Sequence, residues 1–135
     1  MRLSNTRPTA KLVGVIKMNA DELKAEMRQC AGTTNYHKLT LTPLLATDGV
    51  RMVAEKAGAF WLVDAIGSYQ MNPEVKTLAI QFWTLEVEDN KAVLYCTEDT
   101  GRPRIVEHEI KYTDFPDGKW KFYVQQGLIM LPEEY

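Results

Sequence analysis

A chain of 135 residues is long enough to bury a core without metals or disulfides, and 45% hydrophobic with 25% charged residues is not the composition of a disordered chain. The net charge of −2 argues against general nucleic-acid binding, which works from a basic face. That charge is uneven: residues 1–20 hold Arg2, Arg7, Lys11 and Lys17 and no acid, which leaves twelve basic against eighteen acidic side chains for the rest.

In chain order, residues 1–18 contain Pro8 and lack a strong period, so they read as a partly flexible arm, basic in sign. "NADELKAEMRQCAG" (19–32) is a helix with Asn19 as cap, Glu22 at the capping-box position and Gly32 as terminator. "TTNYHKLTLTP" (33–43) reads as a polar turn leading into a short strand that Pro43 limits. "TDGVRMVAEKAGAFWLVDAIGSYQ" (47–70) is the strongest helical stretch, with Thr47 or Asp48 as its cap. Taken as one helix, Val50, Val53, Ala54, Ala57, Trp61, Asp64 and Ala65 share a stripe. Gly58 could divide it into two.

From residue 77 the period becomes two. "LAIQFWTLEVE" (78–88), "KAVLYCTE" (91–98), "RIVEHEIKY" (104–112) and "KWKFYVQ" (119–125) alternate apolar and polar residues, and "LIMLP" (128–132) follows Gly127. The turns between them are "EDN", "EDTGRP" and "DFPDG". Strands joined by short turns imply an antiparallel meander of four or five strands, and helices before sheet imply α+β, with the apolar helix against one sheet face. Residues 19–135 are expected to form a single domain.

Asp64, set among Phe60, Trp61, Leu62, Val63, Ala65 and Ile66, is the residue that invites a functional reading. A buried carboxylate must be paired, hydrogen-bonded or protonated. The partners the sequence offers are Tyr36, His37, Arg51 and the amides of the "TTNYH" turn. In the structural reading Asp64 pins that turn to the helix. In the catalytic reading it orients His37 as a general base, with Tyr36 beside it. A nucleophile would be needed as well, and Cys30, Thr33, Thr34 and Ser68 stand in no recognisable signature. No catalytic set is assigned beyond the candidates His37 and Asp64. Asn35, Tyr36, Arg102 and Arg104 are the candidate binding residues, the two arginines as anchors in the "EDTGRPR" loop (98–104).

Other features read as structural. "EHE" (107–109) is no metal site, because strand alternation sends His108 away from Glu107 and Glu109. A helix-turn-helix reading of 50–66 fails because Phe, Trp, Leu and Val stand where a groove reader carries polar side chains. Cys30 and Cys96 are lone thiols, expected to be reduced, and no signal peptide or membrane span is visible. These features point to a cytoplasmic protein without cofactor, metal or membrane partner, for which nucleic acid is a poor fit.

The stretches "AGTTNYHK" (31–38), 47–70, "QFWTLEV" (81–87), "EDTGRP" (98–103), "YTDFP" (112–116) and "LPEEY" (131–135) resemble, in order and spacing, a family of small uncharacterised proteins from bacteria and their phages and plasmids. His37 stands where that pattern often has another aromatic. The resemblance implies a bacterial or mobile-element setting and no activity. Two expectations follow: an accessory protein acting through a protein partner or self-association, or a small enzyme or small-molecule binder using a Tyr36/His37/Asp64 pocket.

Overall fold

The computed structural model describes residues 19–30, 35–39, 41–99 and 101–135. The expected arm over 1–18 and residues Thr33 and Thr34 of the polar turn lie outside them.

Helix α1 spans Ala20–Arg28, and the Asn19 side chain accepts the amide of Asp21 at 2.7 Å. It buries Leu23 and Met27 and leaves its other side to water, as its narrow apolar stripe requires. Two short strands follow, β1 (Tyr36–His37) and β2 (Leu45–Thr47).

The long helical stretch is two helices, α2 (Asp48–Lys56) and α3 (Phe60–Ser68). Gly58 sits at φ +62°, the Ala57 amide bonds to Val53, and the Ala59 amide reaches back to Ala54 at 2.8 Å. This is the left-handed glycine stop that satisfies the last carbonyls of a helix. The break changes the phase of the apolar stripe. A continuous helix would bury positions 61, 64 and 65; α3 instead buries Leu62, Val63, Ile66 and Gly67. A single-turn helix, α4 (Pro73–Lys76), capped by Asn72, leads into the sheet.

The remaining strands are β3 (Gln81–Glu88), β4 (Lys91–Thr97), β5 (Arg104–Ile110), β6 (Gly118–Gln125) and β7 (Leu128–Met130). They form one seven-stranded mixed sheet in the order β1-β2-β7-β6-β3-β4-β5. All neighbours are antiparallel except β2 and β7. The α+β class therefore stands, whereas the four- to five-stranded meander does not. Strands β3, β4 and β5 are consecutive hairpins, but β6 returns to the far side of β3.

The reason lies in residues 111–117, which form a strap rather than a tight turn. Phe115 is 1% exposed and packs edge-on against Trp120 at 5.3 Å, and the Trp120 indole N–H donates to the Pro116 carbonyl. Asn90, in the β3–β4 turn, clamps Thr113 through both backbone and side chain, at 2.9 and 3.0 Å. With Phe115 anchored in the core, the chain enters the sheet beside β3 rather than beside β5.

One face of the sheet is covered. Trp83, Leu85, Leu94, Cys96, Trp120, Phe122, Val124 and Ile129 are buried in one cluster with the apolar sides of α1, α2 and α3. Register places Arg104, Thr97, Phe82, Tyr123 and Met130 in one row across the opposite face. A second row runs Glu107, Tyr95, Thr84 and Lys121, and a third Glu109, Val93, Glu86 and Lys119.

Candidate functional site

Two places combine charge and aromatic groups. At the first, β1 lies against the start of α2. His37 Nε2 is 2.5 Å from an Asp48 carboxylate oxygen, and Asn35 donates to the other oxygen at 3.2 Å. Arg51 Nη1 stands 3.3 Å from His37 Nδ1. A guanidinium has only donors, so Nδ1 accepts, and the ring proton is on Nε2, donated to Asp48. The His37 hydrogen bond, joined by that of Asn35, holds the Asp48 carboxyl below its ordinary value of 3.8.

Both imidazole nitrogens are thus engaged, and His37 has no free lone pair with which to take a substrate proton. The same corner is closed from the C-terminus. Glu134 accepts the Thr47 hydroxyl at 2.5 Å and the amides of Gly49 and Leu131 at 3.0 Å each. It lies so near Gly49 that an added Cβ would stand 2.6 Å from its carboxylate. The N-terminus of α2, a natural seat for an anion, therefore already holds one belonging to the chain.

Asp64 takes no part in this. It is exposed on α3, in one line with exposed Phe60 and Ser68 at i, i+4 and i+8, and it makes no hydrogen bond or ion pair among the described residues. The expectation that Asp64 is buried against the Asn35–Tyr36–His37 corner is corrected: the acid that Asn35 and His37 hold is Asp48, and Tyr36 holds neither. Tyr36 is 57% exposed. The Ser68 hydroxyl is bonded to the Ala65 carbonyl, and the Cys30 thiol to that of Glu26. Among the described residues no group of three or more His, Cys, Asp or Glu side chains is placed to hold a metal.

The second place is the open sheet face. A concavity of about 490 Å³ is bounded by Phe82, Thr84, Tyr95, Thr97 and Tyr123, together with Arg102, Arg104 and Lys121. The Arg104 guanidinium lies 3.8 Å from the centre of the Tyr95 ring and bridges Glu86 and Glu107 at 3.8 and 3.3 Å. The Tyr95 hydroxyl donates to Glu86 at 2.6 Å; burial, then that bond, keeps the phenol above its ordinary range. Phe82, Tyr123 and Tyr135 form an edge-to-face series, with centroids 4.9 and 5.6 Å apart. A larger hollow of about 970 Å³ lies at the other end of the face, but four acids and three lysines around it give it no preference of sign.

A family model matches residues 21–135; it describes a family of unknown function, DUF6876. The chain belongs to this family. No curated protein and no solved structure matches it.

In this DUF6876 chain the candidate residues fall into two groups. Asn35 and His37 meet at Asp48, whereas Arg102 and Arg104 meet at the open face. Tyr36 and Asp64 stand apart from both hydrogen-bond sets. Residues that sequence reasoning passed over are Asp48 and Glu134 at the corner and Phe82, Lys121 and Tyr123 on the face. The last two were marked by alternation, since they oppose the buried Trp120, Phe122 and Val124 along β6. Glu134 left little local signal, because apart from the Leu131 amide its partners are 85 and 87 positions away.

Proposed function

We propose that this DUF6876 chain is a non-enzymatic accessory protein of bacteria or their mobile elements, with residues 19–135 acting as one domain in the cytoplasm. It works by binding a partner on the open face of its sheet. The observation that carries this reading is the concavity around Arg102 and Arg104, built on strands whose other face is anchored in the core. A rigid platform with arginine and aromatic side chains is the composition that concentrates binding energy. The engagement of both His37 nitrogens speaks against the enzyme alternative.

The test is affinity capture from bacterial lysate with the native chain and with R102E/R104E, read by quantitative mass spectrometry. Capture of a stoichiometric partner by the native chain and its loss with the reversed pair, still folded by circular dichroism, is expected. Equal capture by both would overturn the assignment to this face.

A further inference from the structure

Three cations and no carboxylate line the open-face concavity. In a chain of net charge −2 this is a local reversal of sign, and concave walls concentrate the field it produces. Arg104 is held in place by Tyr95, Glu86 and Glu107. Arg102 and Lys121 are exposed and have no ion pair among the described residues, so their donors are available to an anion. Between these charges stand the half-buried rings of Phe82 and Tyr123. The occupant that matches is anionic at one end and planar and weakly polar at the other.

Size and surroundings narrow it further. A volume near 490 Å³ falls within the roughly 300–1,000 Å³ typical of small-molecule sites. Toward the other end of the same face acids and lysines are mixed, with no excess of positive charge to track the continuing phosphates of a polymer. Resting on the reading of the open face as the working surface, we propose that this groove binds a free nucleoside phosphate. Arg102 and Lys121 take the phosphate through charge-assisted hydrogen bonds, and Phe82 and Tyr123 take the base.

Isothermal titration of the full chain with AMP, GMP, CMP and UMP tests this, beside adenosine, inorganic pyrophosphate and an oligouridylate. At least one mononucleotide should bind, with adenosine and pyrophosphate each weaker by about tenfold or more. K121E and R102E, both changes at exposed positions, should each weaken it by about tenfold or more at an unchanged melting temperature. Absence of heat with every mononucleotide at millimolar concentration would overturn the proposal. So would affinity unaltered in both variants, or tighter binding of the oligouridylate. If no mononucleotide binds but R102E/R104E still loses its captured protein, the nucleotide fails and the face stands. If the double reversal changes nothing in either assay, both fail.

Discussion

Asp48 and Asp64 show how one carboxylate becomes structural and another does not. Asp48 opens α2, where His37 and Asn35 reach it from β1; Asp64 occupies the water-facing line of α3. Because the native Asp48 carboxyl titrates below 3.8, the unfolded chain binds more protons as pH falls through that value. Its contribution is therefore present above 3.8 and lost below it. Urea melts at stepped pH should show D48N with a flatter acid limb than the native chain. Glu134→Ala strips acceptors from Thr47, Gly49 and Leu131, and should cost about 1–2 kcal/mol, in the range of a lost helix cap. The sequence displayed the importance of an acid near "NYH" but pointed to the wrong one. Apolar neighbours of Asp64 suggested burial, yet Phe60, one turn away, is itself 43% exposed.

Element boundaries were legible where local chemistry decides them. Asn19 and Thr47 cap as their types predict, Gly58 makes the break that the sequence left open, and Asp89 and Asn90 take φ of 54° and 64° in the β3–β4 hairpin, whereas "DFPDG" is no tight turn. Strand order was not legible, since alternation gives a strand's faces but not its neighbours. The insertion of β6 beside β3 depends on Phe115 and Asn90, contacts made between separate segments. Phe115→Ala should therefore cost about 3–5 kcal/mol, measured by chemical denaturation, as for other large buried aromatics. A cost below about 1 kcal/mol would mean the strap is not anchored there. Gly58→Ala should cost about 1 kcal/mol, because it forces a Cβ into the left-handed region at the α2 stop.

For the whole molecule, the consequence is an asymmetric sheet: one face sealed by helices, the other running from a cationic and aromatic end to one of mixed charge. The sealed face makes its groups inert. Burial pushes the Cys96 thiol up to about 12, so thiol reagents should leave Cys96 unmodified until the chain unfolds. The open face holds the accessible chemistry, and the proposed function requires it to be the surface that binds. Hydrogen–deuterium exchange on the chain captured with its partner, compared with the chain alone, measures this directly. New protection across 81–84, 95–104 and 119–123, with exchange unchanged over 35–51, is the predicted result. Protection confined to 35–51, with the open face exchanging as freely as in the isolated chain, would contradict it.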